Sequence, residues 1–221
     1  MPNPPFALSL LRRREVILPT WRGWLAIAIL LAAATRGFLA WAHPFLAVTE
    51  PVGGEVLVVE GWVPDYALRQ ALAEFRARHY ARLVTAGGPV PSGTAFFSQG
   101  NYARLAAASL QSFGLSPDSI AEAPSPEVRK DRTYAEGLAV AEWLRTAGVP
   151  CRALDLFSFS AHARRSRLLY RLALGKDVRV GVFAARNRDY DPGRWWTSSM
   201  GFREVTDEWI AYLYATFIFR G

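Results

Sequence analysis

From residue 54 onward the apolar residues switch repeatedly between two spacings. Residues 55–61 hold a β-branched run, Val56 to Val59, closed by Gly61, and predict a short buried strand. Residues 64–80 then carry Ala67, Leu68, Ala71, Leu72 and Phe75 at helical intervals. The alternation continues with a strand at 82–86, a helix at 101–113 ended by Gly114, and a short strand at 119–123. A helix at 133–147 follows, stopped by Gly148 and Pro150, then a strand at 152–159. A helix at 161–174, with Leu168, Leu169 and Leu172 expected inside, leads to a strand at 178–184 and a final helix at 206–219. Alternation at this spacing predicts βαβ units, and so an α/β domain with a mostly parallel sheet covered by helices on both faces. Two irregular stretches are long enough to be functional: 89–100, with Phe96 and Phe97, and 186–199, with Tyr190, Asp191, Trp195 and Trp196.

Ahead of this domain the pattern is different. From Trp24 to Trp41 the chain is almost continuously apolar. As a helix the segment places its two Trp roughly 26 Å apart, close to the hydrocarbon thickness of a bilayer, and Trp favours both interfaces. Arg36 lies inside it, near enough to the outer edge to snorkel. The expected organisation is a basic N-terminus at 1–22, a transmembrane anchor at 23–42 and an α/β domain at 43–221. Two other readings stay open. Ala40-Trp41-Ala42 also fits a signal-peptide cleavage pattern, and the segment also fits a buried core helix.

Charge supports the membrane reading. The chain carries a formal net charge of +7, and Arg12, Arg13, Arg14, Arg22 and Arg36 stand against Glu15 alone in the first 42 residues. The remainder holds 21 Lys+Arg and 18 Asp+Glu, which argues against a nucleic-acid partner. Basic residues before an apolar span place the N-terminus in the cytoplasm and the domain outside the inner (cytoplasmic) membrane. Cys151 is the single cysteine, so an internal disulfide is excluded. His43, His79 and His162 are scattered, and no metal-ligand spacing is visible.

Candidate chemistry gathers where strands give way to helices, at the edge of the sheet where α/β proteins bind ligands. Gly87-Gly88 closes one strand and allows backbone N–H groups to approach an anion; plain turn chemistry explains it equally well. Ser158, Ser160, His162 and Arg165 follow another strand at a helix start, a setting that favours anions and offers a general acid or base. Arg164, Arg167 and Arg171 read as a solvated face. Arg132 and Thr133 either face the cleft or belong to a capped helix start with Asp131. Glu60 ends the first strand and can bind a sugar hydroxyl, accept a proton or pair with Arg69. Trp195-Trp196 fits a stacking platform, a membrane-facing edge or the core.

In this order the segments resemble the YdcF-like family of SanA/ElyC-type envelope proteins, over roughly residues 54–215. The family's Ser-Gly-Gly turn corresponds to Thr85-Ala86-Gly87-Gly88, its Arg-bearing helix offers Arg69, its Asn-Thr signature appears as Arg132-Thr133, and its His…Arg element as Ser158 to Ser166. Asn101 stands where the family usually has an acidic residue, and Glu136 where a second Asn is common. The resemblance implies a Rossmann-like three-layer sandwich, an N-terminal membrane helix, and a role in envelope integrity and cell-wall polymer metabolism. It adds Thr85 and Asn101 to the expected ligand-binding set of Gly87, Gly88, Arg132, Thr133, Ser158, Ser160 and Arg165, with His162 and Glu60 as expected proton-transfer groups.

The expected ligand is a phosphate-bearing envelope intermediate, such as a lipid-linked sugar or polyprenyl phosphate. Two alternatives remain: a binder of S-adenosylmethionine or another nucleotide-like cofactor, and a non-catalytic cell-wall assembly scaffold. No particular cofactor is implied by the residues, and turnover is left open.

Overall fold

In the computed structural model, residues 18–91 and 100–221 are described; the Arg cluster at 12–14 and the Phe96-Phe97 stretch lie outside them. The chain divides into two compact units, Met1–Phe38 and Leu39–Gly221. Helix α1 (Trp21–Leu46) crosses that boundary. It is long and apolar enough to cross a membrane, with a mean hydropathy of 1.8. The second unit is an α/β domain. Its elements are β1 (Val56–Glu60), α2 (Asp65–Ala77), β2 (Arg82–Gly87), α3 (Tyr102–Ser112), β3 (Ile120–Pro124), α4 (Arg132–Thr146), β4 (Ala153–Phe159), α5 (Ala163–Leu174), β5 (Arg179–Ala185) and α6 (Ser199–Phe217).

The five strands form one parallel sheet in the order β3-β2-β1-β4-β5. From β1 the chain moves outward through β2 to β3, then returns past β1 to lay down β4 and β5. The order therefore reverses between β1 and β4, and the crevice beyond their carboxyl ends is where such sheets take ligands. Glu60 and Ser158 stand there.

Period-two alternation divides the core. Leu57, Val59 and Leu83 face α2 and α3 with Leu68, Leu72 and Leu110. Val56, Val58, Val84, Leu154 and Leu156 face α4 and α5 with Val140, Leu144 and Tyr170. A third cluster joins Ala42 and Leu46 of α1 to Ala161, Tyr190, Trp195 and Val205. The core reading of Trp195 is thus the one observed, and its indole also donates to the Leu39 carbonyl at 2.9 Å.

Asp155 on β4 is a buried anchor. Its carboxylate accepts from the backbone N–H groups of Val52 (2.7 Å), Gly53 (3.1 Å) and Gly54 (3.2 Å), and from the Tyr80 hydroxyl (2.8 Å). Burial, then the Asp155 bond, pushes the Tyr80 phenol well up. Gly181 on β5 is required beside it, because a Cβ there would collide with the Asp155 carboxylate.

Three local expectations change. Leu172 is exposed, and Tyr170 is the large fully buried side chain of α5, because the inward stripe runs through Ala163, Ser166, Leu169 and Tyr170. The last helix begins at Ser199, seven residues earlier than expected, since the Ser198 hydroxyl caps it by accepting from Gly201 N–H. Arg164 and Arg167 are not a simple solvated face. Arg164 lies over the Phe45 ring and bonds its carbonyl, and Arg167 reaches the Val180 carbonyl and pairs with Glu50.

Candidate functional site

The carboxyl ends of β1 and β4 open on a cavity of about 1110 Å³. Its floor is a buried polar cluster centred on Glu60, which is fully inaccessible. Ser158 Oγ donates to Glu60 Oε2 at 2.6 Å and Ser166 Oγ to Oε1 at 2.7 Å. Ser158 is the penultimate residue of β4 and Ser166 lies on the first turn of α5, so the carboxylate is fixed from a strand and a helix together. This answers the Arg69 alternative: Arg69 lies instead over the Phe113 ring, 3.6 Å from its centroid.

His162 sits in the 3-10 turn between β4 and α5. Its Nδ1 is 2.7 Å from Glu208 Oε1. A ring nitrogen that close to a carboxylate carries the proton and donates it. Arg165 completes the group as a fork, Nε to Glu208 Oε2 at 2.8 Å and Nη2 to Oε1 at 3.0 Å. The 2.8 Å between Arg165 Nη2 and His162 Nδ1 is then two donors meeting at one carboxylate. Glu208 fixes the imidazole, leaving Nε2 without a hydrogen-bond partner and 3.9 Å from Glu60 Oε1. The Trp62 ring packs edge-on against the imidazole, 5.1 Å between centroids.

Glu136, one turn into α4, brings a further carboxyl to the cavity. Burial, then the charge of Glu60, raises it from 4.5 to about 8; Arg132, the Gly88 N–H and Arg165 pull the other way. At neutral pH it is mostly a protonated acid, and its Oε2 has no partner. Glu208 moves in the opposite direction. Its burial raises the pKa, but the bond and charge of His162, then those of Arg165, outweigh this and hold it at about 2. One carboxyl is thus kept neutral and another kept charged in the same cavity, the arrangement that separates acid and base roles.

The Glu136 shift predicts a pH signature. The folded chain holds this proton to about pH 8, whereas the unfolded chain releases it near 4.5. The contribution to stability is full below 4.5 and is lost as pH rises through 8. Glu136→Gln, which stays neutral, should narrow the stability difference between pH 5 and pH 9 by on the order of 2–4 kcal/mol, read from denaturant midpoints at the two pH values.

The mouth is cationic. Arg129, Lys130 and Arg132 are exposed beside Glu127 and Asp131, and among the described residues these three make no ion pair. Asp131 takes a left-handed φ of 56° before α4, and its side chain does not cap the helix. The opposite wall is apolar, formed by Leu169 of α5 and by Ala211, Tyr214 and Ala215 of α6.

Of the residues singled out in the sequence, Gly88, Arg132, Thr133, His162 and Arg165 line this cavity. Glu60 and Ser158 lie in the polar network beneath it. Four others are placed elsewhere. Thr85 shares its face of β2 with Leu83, towards α2 and α3, and donates to the Ala121 carbonyl. Gly87 accommodates α3, since a Cβ there would lie 2.7 Å from the Tyr102 Cβ. Asn101 caps α3 by accepting from Arg104 N–H at 2.8 Å. Ser160 adopts a left-handed φ of 46°, and its hydroxyl lies within hydrogen-bonding distance of His43 and Tyr190, away from the cavity.

The chain matches no protein-family model and no curated protein. Its site is therefore read from its own geometry. Glu208 and Trp62 carry parts that sequence reasoning missed. Glu208 sits 46 residues after His162 on a separate helix, and no local pattern announces it. Glu136 was legible in the sequence as a residue near the first turn of its helix, without its burial or its place in the cavity.

Proposed function

We propose that the chain is a single-pass bacterial envelope protein whose domain, outside the cytoplasmic membrane, binds a phosphate-bearing envelope intermediate, a lipid-linked sugar or polyprenyl phosphate, and serves cell-wall or envelope polymer metabolism. One observation carries the reading: a single cavity joins three exposed cations, a buried acid–base cluster and an apolar wall. A phosphate is matched by Arg129, Lys130 and Arg132 at the mouth. A prenyl chain is matched by Leu169, Ala211, Tyr214 and Ala215. Around the Glu60 carboxylate the floor adds little further negative charge, because Glu136 is neutral at pH 7 and the charge of Glu208 is offset by Arg165. Where a bond to the phosphate is broken or made, the bare His162 Nε2 is the proton acceptor and the Glu136 carboxyl the proton donor, Glu208 holding the imidazole in place.

Thermal unfolding of the full chain in detergent tests this. Short-chain polyprenyl phosphates, sugar phosphates and S-adenosylmethionine are compared on the wild type and Arg132→Ala. A ligand at 100 times its Kd stabilises by about 2.7 kcal/mol. For a domain of this size that corresponds to a rise of roughly 5–10 °C. The expected result is a rise with polyprenyl phosphate that shrinks in Arg132→Ala. A rise with S-adenosylmethionine alone would overturn the proposal in favour of a nucleotide-like cofactor, and no rise with any ligand would favour an assembly scaffold.

A further inference from the structure

Helix α6 has one apolar side too many. Its inner face packs Val205, Tyr212 and Ala215 against the domain, yet Phe202, Ile210, Leu213 and Phe217 stand on the outer face, with Ile210 63% and Phe217 66% exposed. From Trp209 to Phe219 there is no charged residue, and Arg220 follows. We propose that this outer face is a membrane-docking surface, which lays the domain against a bilayer with the cavity mouth at the headgroups, so that a lipid-borne ligand enters along α6.

Three observations select a bilayer as the occupant. First, the face is continuous with the end of α1 inside the same unit. Phe45 stacks on Trp209 at 5.0 Å and 12°, Trp41 lies 5.5 Å from Trp209, and Phe45 meets Tyr212 edge-on at 5.6 Å. Trp41 and Phe45 belong to the same helix, Trp21–Leu46, that is long and apolar enough to cross a membrane. Second, the composition is interfacial: exposed Tyr214 borders the aliphatic residues Ile210 and Leu213, as amphipathic rings do at headgroup depth. Third, the same helix forms the apolar wall of the cavity through Ala211, Tyr214 and Ala215, and exposed Tyr214 belongs to both surfaces. Basic residues at the mouth complete the match to anionic headgroups.

The inference rests on the anchored, lipid-ligand reading above, and the test separates the two. The full chain, in a Cys151→Ser background, is reconstituted in nanodiscs of phosphatidylcholine and phosphatidylglycerol. Single cysteines at Ile210, Phe217, Gln111 and Ile29 are labelled with a fluorophore and quenched by lipids carrying a headgroup nitroxide. Gln111 is exposed on α3, in the opposite helix layer, and Ile29 lies in the apolar helix. The expected result is quenching at 210 and 217 several-fold above that at 111. Quenching at 210 and 217 no greater than at 111 would overturn docking, and the label at 29 then reports whether the anchor itself stands. Disulfide dimers through position 217 without quenching would also overturn it, assigning the face to a second copy of the chain. In a ligand arm, Ile210→Glu/Phe217→Glu should weaken binding of a long-chain polyprenyl phosphate in the disc about tenfold while leaving a short-chain, soluble one unchanged; equal loss of both contradicts docking. Failure of the wild type to bind the short-chain ligand, with quenching intact, removes the ligand reading alone.

Discussion

Arg165→Ala is expected to lower affinity for a phosphate-bearing ligand by roughly 100-fold, or about 2.7 kcal/mol, and to destabilise the ligand-free protein as well. The side chain lines the cavity and also forms the fork on Glu208. Without it, Glu208 keeps His162 as its one remaining partner at the site, and the Glu136 and Glu208 carboxyls lose the cation that offsets them. Glu136 then rises further, so the variant's stability should fall more steeply towards alkaline pH than the wild type's. Glu208→Gln is the informative partner. It removes an anion rather than a cation, and it also removes the group that orients His162. Isothermal titration on both variants separates the roles. Affinity lost in Arg165→Ala but largely kept in Glu208→Gln identifies Arg165 as a ligand contact. Equal loss in the two identifies it as a positioning residue acting through the imidazole.

The second large effect concerns stability. Asp155→Ala is expected to cost roughly 3–5 kcal/mol, because three backbone N–H groups and the Tyr80 hydroxyl lose their acceptor inside the protein. At about 2–4 °C per kcal/mol for a chain of this size, the melting temperature should drop by roughly 6–20 °C. Asp155→Asn keeps one acceptor oxygen and should fall between the two. A melting temperature unchanged in Asp155→Ala would mean that the segment Val52 to Gly54 rearranges to find water. In that case its amide protons would exchange quickly, which hydrogen exchange detects.

The sheet was readable because its strands are short, mostly apolar runs of five to seven residues and its helices carry apolar residues at helical spacing. The position of the candidate cavity was also legible, since Glu60 ends β1 and Ser158 lies one residue from the end of β4, the two strands between which the order reverses. What could not be read was the direction of individual side chains at the turns. Thr85 is one residue from the opposite face of β2, and period-two alternation sends it away from the cavity. Ser160 and His162 are neighbours in sequence, but a left-handed backbone at 160 turns one hydroxyl towards α1 and leaves the imidazole facing the site. Glu208 was invisible for a different reason. It reaches His162 only because α6 packs across the start of α5, a contact that depends on tertiary structure and has no signature in the residues around it.

The β4–α5 turn has a mechanical meaning. Ser160 contacts His43 at the end of α1, and two residues later His162 carries the free nitrogen of the acid–base cluster. The end of α1 is therefore held at a turn that begins two residues before the imidazole. The last turns of α1 and the candidate site thus share one short stretch of chain.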